Sequence, residues 1–188
     1  MAVKTDQWIR RMAREAGLIE PFSERVAGPG MISFGLQPCG YDVRLDPTIL
    51  VYDWVRAQGV PLDPLAPPDP AFYSEKLAFP YFDIPPRGFV QGMSLEYFRI
   101  PPNTTVLGRG KTTYSSIGIS VNVSSINPGW EGRLRIHIAN LNAAPVRIYG
   151  EQGILYLEFS ETDGTCETPY DQLSGTRFYK QKNFLSTP

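Results

Sequence analysis

VLGRGKTTYSSIGISVNVSSINPGWEGRLRIHIAN, residues 106–140, contains the clearest strand signal in the chain. Its last segment alternates, with Leu134, Ile136 and Ile138 on one side and Arg133, Arg135 and His137 on the other. A period of two predicts a strand with one buried face and one polar face. Because the polar face carries two arginines and the only histidine of the chain, it is a candidate site for an anionic ligand.

The first half of the same stretch predicts a phosphate-binding loop between two strands. The preceding strand is predicted to end at Leu107, and a short helical turn follows the loop. Gly108 and Gly110 would allow close backbone approach, Lys111 would bring charge, and Thr112 and Thr113 would bring hydroxyl groups beside exposed helix N–H groups. The alternative is a capped turn with solvated charges. A Walker loop is excluded, because position 105 is threonine where that motif requires glycine.

The chain before this stretch opens with a helix predicted over about residues 5–18. Its apolar residues recur at helical spacing, namely Ile9, Met12, Ala13 and Ala16. Short strands broken by glycine are predicted from Met31 to Tyr52. Five prolines at about residues 60–72 exclude a central strand or a helix interior and predict an excursion over the surface.

The chain after this stretch continues the β pattern. Strands are predicted at Val146–Tyr149 and Ile154–Ser160, joined by a hairpin-like turn at 150–153. A polar and aromatic tail runs over about residues 168–188. Many short strands with little helix predict an all-β sandwich or distorted barrel, and 188 residues are most simply one domain.

Composition excludes several classes of protein. The formal net charge is −1, which argues against general binding of nucleic acid or a membrane surface. No apolar run of membrane-spanning length and no secretion signal are visible, so a cytoplasmic protein is expected. Cys39 and Cys166 are expected to be free thiols. One histidine and no C-x-x-C pair cannot form the metal site of the zinc-dependent nucleobase deaminases.

Several motifs together resemble the dCTP deaminases, a branch of the dUTP pyrophosphatase superfamily. The matching runs are GYDVRL at 40–45, GKTTYSSIGI at 110–119, and INPGWEGRLRIHIAN at 126–140, with DQWIRRMA near the N-terminus. The resemblance covers nearly the whole chain. It implies a distorted jelly roll or β-barrel with one N-terminal helix and short helical turns. It further implies a homotrimer with sites between subunits, a deoxynucleoside triphosphate substrate, and Mg²⁺ bound through the triphosphate with no metal at the base.

The resemblance also implies site residues, several of which depart from the family pattern. His137 stands where the family has the glutamate that activates water, Ser116 replaces a helical arginine, and Tyr156 replaces a glutamine. The implied catalytic residues are His137, Thr112 and Ser116. The implied nucleotide-binding residues are Lys111, Thr112, Thr113, Ser124, Ser125, Asn127, Trp130, Arg135, Tyr156, Tyr170 and Lys180.

Two residues have open alternatives. His137 can serve as a general base near neutral pH, and Arg135 on the same face should lower its pKa; otherwise it is a polar residue of a subunit contact. Asp42 lies beside the nucleotide site by resemblance, but it can equally pair with a neighbouring residue. The leading function is hydrolysis of dCTP to dUTP and ammonia. The alternatives are a nucleotide-binding regulator without this activity, an enzyme for a different or modified nucleotide, and a purely structural or interaction protein.

Overall fold

The computed structural model describes residues 2–53, 55–57, 60–65, 69–176 and 178–184. Pro67, Pro68, Arg177 and the last four residues of the predicted tail lie outside the described residues. The strands are β1 Ala2–Val3, β2 Ile19–Glu20, β3 Gly35–Gln37, β4 Gly40–Tyr52, β5 Tyr73–Leu77, β6 Tyr81–Ile84, β7 Phe89–Arg99, β8 Thr104–Gly110, β9 Ile119–Asn122, β10 Glu131–Asn140, β11 Val146–Tyr149 and β12 Gly153–Glu161. The helices are α1 Asp6–Ala16 and α2 Thr112–Ser115, with 3₁₀ turns at Pro70–Phe72 and Tyr170–Gln172.

Within the described residues, ten strands form one antiparallel sheet. Its main order is β1-β12-β4-β7-β10-β9, with β8 beside β12, β2 beside β7, and β3 and β5 beside β4. Val106 of β8 also bridges to Ile126, which follows β9 at the opposite end of this order. The sheet therefore curls round until its ends meet, and the predicted all-β, distorted barrel is confirmed.

The core follows the alternation that the sequence predicts for β10 and β12. Leu134, Ile136 and Ile138 are buried, and so are Leu155, Leu157 and Phe159. Arg133, Arg135 and His137 are half-buried on the other face of β10. Apolar burial on the inner face stabilises the barrel and leaves the polar face of β10 available for a ligand.

Helix α1 lies against the barrel through Ile9 and Ala13, which are buried. Gly17 ends the helix with a left-handed backbone, φ 64°, where a residue without Cβ is favoured. Ala16, which the spacing assigned to the apolar face, is exposed, because the helix ends at this residue and the chain turns away.

No helix in the part of the chain that the structure describes is long and apolar enough to span a membrane.

The turn at 150–153 is not a hairpin, contrary to the sequence prediction. Strand β11 pairs with β6, whereas β12 pairs with β4 and β8. The turn is held by other segments, because Gly150 N–H donates to the Ala78 carbonyl and Glu151 N–H donates to the Leu45 carbonyl. It therefore connects the small two-stranded sheet to the barrel.

The proline-rich segment and the two cysteines also have defined surroundings. The described residues of 60–72 are exposed, apart from Phe72, which is half-buried, and the only regular structure they contain is the 3₁₀ turn Pro70–Phe72. Cys39 and Cys166 are both free thiols, as expected.

Candidate functional site

Two cavities contain residues that the sequence predicts to be functional. The strand-face cavity, about 150 Å³, lies on the polar face of β10 and is lined chiefly by Gln91, Ser124, Ser125, Trp130, Arg133, Arg135, His137, Tyr170, Phe178 and Gln181. The loop cavity, about 280 Å³, lies where β8 leads into α2 and is lined by Asp42, Arg109, Gly110, Lys111, Thr112, Thr113 and Tyr156.

His137 lines the strand-face cavity from β10, which runs between β7 and β9. It pairs across the sheet with Gln91 and Asn122, and its ring stacks on Phe89 with centroids 6.2 Å apart. Burial, with a smaller contribution from Arg135, lowers the pKa of His137 below its ordinary value. The imidazole is therefore neutral at pH 7 and has a lone pair that can accept a proton.

Arg135 lines the same cavity and carries an unsatisfied donor beneath its surface. Its Nη2 donates to the Phe184 carbonyl at 3.2 Å, and the guanidinium lies 5.4 Å from the centre of the Phe178 ring. Burial lowers the pKa of Arg135. Its Nε is buried and has no hydrogen-bond partner among the described residues. A buried donor without a partner is costly, so this nitrogen would gain from an acceptor atom on a bound ligand.

Aromatic residues form much of the apolar part of the strand-face cavity, together with Val123, Ile126 and Leu134. Trp130 is buried, and its indole N–H donates to the Phe178 carbonyl at 3.0 Å. Tyr170 is half-buried and comes from the 3₁₀ turn of the C-terminal segment. Flat aromatic surfaces beside a few polar atoms are typical of pockets for planar ligands.

Two predicted nucleotide-binding residues lie outside both cavities. Asn127 is exposed, and its backbone carbonyl accepts a hydrogen bond from Trp130 N–H. Lys180 is directed to Glu131, with 3.9 Å between the charged groups, and its ammonium lies 5.3 Å from the centre of the Tyr179 ring. In this protomer, neither side chain is placed to contact a ligand in the strand-face cavity.

The loop cavity contains a nearly buried ion pair. The Lys111 ammonium lies 2.5 Å from the Asp42 carboxylate and 3.3 Å from the Ser33 hydroxyl. Burial raises the pKa of Asp42, and the contact with Lys111 opposes that shift. Tyr156 completes the wall, and its hydroxyl donates to the Cys39 carbonyl at 2.8 Å.

The glycines before Lys111 have a packing role, which corrects the sequence interpretation. Strand β8 continues to Gly110 instead of ending at Leu107, so Gly108 and Gly110 are strand residues. A Cβ on Gly108 would lie 2.2 Å from Val123 Cγ2, and one on Gly110 would lie 3.1 Å from Val121 Cβ. Glycine is needed here because the segment containing β9 passes close to β8.

Ser116 has a local role at the C-terminal end of helix α2. Its hydroxyl donates to the Thr113 carbonyl at 3.1 Å, and the side chain does not line the loop cavity. Such a bond to the preceding turn is common for serine in a helix.

The predicted site residues therefore fall into two separate groups within one protomer. The structure places Ser124, Ser125, Trp130, Arg135, His137 and Tyr170 in the strand-face cavity, and Lys111, Thr112, Thr113 and Tyr156 in the loop cavity. Sequence reasoning missed Arg109, Gln91 and Phe178 as lining residues. Arg109 could have been found, because it lies two residues before Lys111 in the extended segment that leads into α2.

Comparison with known proteins gives consistent matches over most of the chain. A family model described as dCTP deaminase-like matches residues 3–162. The chain is 41% identical over 175 residues to the dCTP deaminase of Chloroflexus aggregans, covering 93% of this chain and 92% of that protein. It is 38% identical over 195 residues to the dCTP deaminase of Wolbachia pipientis wMel, covering 100% and 98%.

A solved structure shares the fold. The 2'-deoxycytidine 5'-triphosphate deaminase from Agrobacterium tumefaciens superposes with a TM-score of 0.61 at 17% identity, over 83% of this chain and 46% of that chain. At this identity the likeness concerns the fold alone.

Proposed function

This chain belongs to the dCTP deaminase-like family, and we propose that it hydrolyses dCTP to dUTP and ammonia in pyrimidine deoxynucleotide metabolism. The observation that carries the proposal is the strand-face cavity, where a neutral imidazole and an unpaired arginine donor meet aromatic surfaces. A pyrimidine ring needs flat contact on its faces and hydrogen bonds at its edge. Such an enzyme would act on the nucleotide pool of the cytoplasm.

His137 is the proposed general base. Its neutral ring takes a proton from a water molecule, and the resulting hydroxide adds to C4 of the cytosine. The same ring then returns the proton to the exocyclic nitrogen, which leaves as ammonia when the C4–N4 bond breaks, and the proton of the added hydroxyl moves to N3 to give the 4-keto base. Water and dCTP thus give dUTP and ammonia, with no net change in the protonation state of His137.

Arg135 and the aromatic residues position the base in this scheme. The unpaired Nε of Arg135 is buried, so a shift of this side chain would be needed before it donates a hydrogen bond to a ring carbonyl or nitrogen. Trp130 and Tyr170 supply flat apolar surface, and the Ser124 and Ser125 hydroxyls are exposed at the cavity. Holding the base in one orientation raises the effective concentration of the attacking water.

No metal is assigned to the deamination step, and Mg²⁺ is assigned to the triphosphate. Within the described residues there is no group of three or more His, Cys, Asp or Glu side chains placed to hold a metal ion. The one carboxylate of the loop cavity, Asp42, is already paired with Lys111. This donor set fits Mg²⁺ carried by phosphate oxygens, where the ion would neutralise part of the triphosphate charge.

The complete site is proposed to lie between two subunits of a homotrimer. In one protomer the base-binding group and the group at Lys111, Thr112 and Thr113 line separate cavities. If the strand-face cavity of one copy meets the loop cavity of the next, the base and the triphosphate can be bound together. A closed ring of three copies would contain three such sites.

A second candidate function is nucleotide binding without deamination, or action on a modified nucleotide. It is favoured by the family resemblance of the sequence, which places His137 where those deaminases have a glutamate, because imidazole cannot carry the negative charge of a carboxylate. A regulator of this kind would bind dCTP and release no ammonia.

The test is ammonia release from a panel of nucleoside triphosphates with Mg²⁺, with the nucleotide products separated by chromatography. We expect dUTP and ammonia in equal amounts from dCTP. Binding of dCTP without ammonia release would favour the second candidate, and absence of both would contradict both.

A further inference from the structure

The two cations of the loop cavity, Lys111 and Arg109, differ in exposure and in ion pairing. The side chain of Lys111 is 11% exposed, and its ammonium is paired with Asp42, whose side chain is 6% exposed. Its aliphatic part lies against β12, since a Cβ on Gly153 would be 3.2 Å from Lys111 Cδ. The charge of Lys111 is therefore directed into the protein and compensated there.

Arg109 is the other cation of this cavity, and it is exposed. It lies on β8 opposite Tyr156 of β12, two residues before Lys111, which follows the strand as the N-cap of α2. Its guanidinium forms no ion pair or hydrogen bond with any residue that the structure describes. After Lys111 and Asp42 have compensated each other, the loop cavity keeps one uncompensated positive charge, that of Arg109.

Binding of a polyphosphate would have a different energetic cost at Lys111 than at Arg109. Contact with Lys111 would weaken a nearly buried ion pair and leave the Asp42 carboxylate without its partner, which is strongly unfavourable. Contact with Arg109 breaks no pair. Its planar guanidinium can also donate two parallel hydrogen bonds to phosphate oxygens, which an ammonium cannot do.

We propose that Arg109 binds the triphosphate chain, and that Lys111 is a positioning residue which, through Asp42, fixes the start of the segment carrying Thr112 and Thr113. The Thr112 and Thr113 side chains are exposed beside Arg109 at the same cavity. This inference rests on the proposed function, because it assigns the phosphate-binding group of that site.

The test is calorimetric titration with dCTP and Mg²⁺ of wild type, Arg109→Gln, Arg109→Lys and Arg11→Gln. Arg11 is an exposed arginine of α1 that lines neither cavity, so its replacement is a matched charge control. Loss of a charge-assisted phosphate contact should weaken dCTP binding about 10- to 100-fold in Arg109→Gln. Arg109→Lys should lie between that variant and wild type, and Arg11→Gln should match wild type.

A second pair of variants tests the role of Lys111. Lys111→Met should weaken dCTP binding because it leaves Asp42 unpaired, and Asp42→Asn combined with Lys111→Met should return affinity to within about threefold of wild type. If the double variant stays as weak as Lys111→Met alone, Lys111 contacts phosphate itself and its assignment as a positioning residue is wrong.

The outcome is separable from that of the proposed function. Titration with inorganic tripolyphosphate and Mg²⁺ reports on Arg109 without any base, whereas ammonia release reports on deamination. Binding of both dCTP and tripolyphosphate that weakens in Arg109→Gln supports the proposal even if no ammonia is released. Unchanged dCTP affinity in Arg109→Gln, equal losses in Arg109→Gln and Arg11→Gln, or absence of both dCTP and tripolyphosphate binding in wild type would overturn it.

Discussion

His137 is the only histidine of the chain, and its surroundings decide what the strand-face cavity can do. The sequence predicted its lowered pKa from the neighbouring Arg135. The structure gives the same direction but makes burial the larger cause, with Arg135 second. Strand alternation reveals which residues share a face, but not how deeply a neighbouring strand and the C-terminal segment bury them.

The lowered pKa of His137 makes folding stability depend on pH. In the unfolded chain the ring has its ordinary pKa of 6.5, and in the folded chain the pKa is lower. Below about pH 6.5 the unfolded chain therefore binds a proton that the folded chain does not. Protonation of His137 then stabilises the unfolded chain, so the free energy of unfolding is not reduced by this residue above pH 6.5 and decreases as the pH falls below that value. Urea unfolding from pH 7.5 to 5.5 should show wild type losing stability relative to His137→Gln. Parallel profiles for the two proteins would contradict the assigned shift.

At the scale of single elements, glycines determine where α1 ends and how closely β8 packs against the β9 segment. Gly17 has a left-handed backbone, and a Cβ there would also lie 3.0 Å from Arg99 Nη1. Gly108 has a different reason, namely close packing against Val123. The sequence predicted the first role from position at a helix end. It missed the second because the approach of β8 to the β9 segment depends on how the sheet closes.

Gly17→Ala should lower the free energy of unfolding by about 1 to 2 kcal/mol, the cost of a left-handed backbone for an L-residue. Gly164→Ala is the control, because a Cβ at Gly164 has nothing within 4 Å and its φ lies outside the left-handed region. Urea unfolding at one pH measures both. A loss in Gly164→Ala as large as that in Gly17→Ala would contradict the backbone argument.

At the scale of the whole molecule, the proposed site needs two copies of the chain. The sequence predicted the barrel, the buried face of β10 and about half of the residues that line the two cavities, because these follow from alternation and from family motifs. It could not separate the lining residues into two cavities, since strand order and curl are set by pairing between distant segments. Asn127 and Lys180 illustrate the limit. Asn127 lies three residues before Trp130 in the sequence, and Lys180 N–H donates to the carbonyl of Glu131, the residue after Trp130. Neither of them lines the strand-face cavity.

Light scattering should find a trimer at micromolar concentration. Two inactive variants, Thr112→Val in the loop cavity and His137→Ala in the strand-face cavity, should then restore activity when they are co-expressed. In randomly mixed trimers about a quarter of the sites would combine one intact loop cavity with one intact strand-face cavity. Each variant purified alone is the control. A monomer, or a mixture with no more activity than the single variants, would contradict a shared site.

The most direct measurement of the central claim is the rate of dCTP deamination against pH for wild type, His137→Ala and His137→Glu. If neutral His137 is the base, wild-type activity should fall below about pH 6, because a protonated ring cannot accept a proton from water. His137→Ala should reduce turnover by roughly 10²- to 10⁴-fold with little change in dCTP affinity, and His137→Glu, which introduces the residue that the family resemblance implies here, should keep or raise turnover. If His137→Ala deaminates dCTP as fast as wild type, His137 is not the base. If only His137→Glu releases ammonia, the natural protein binds the nucleotide without deaminating it.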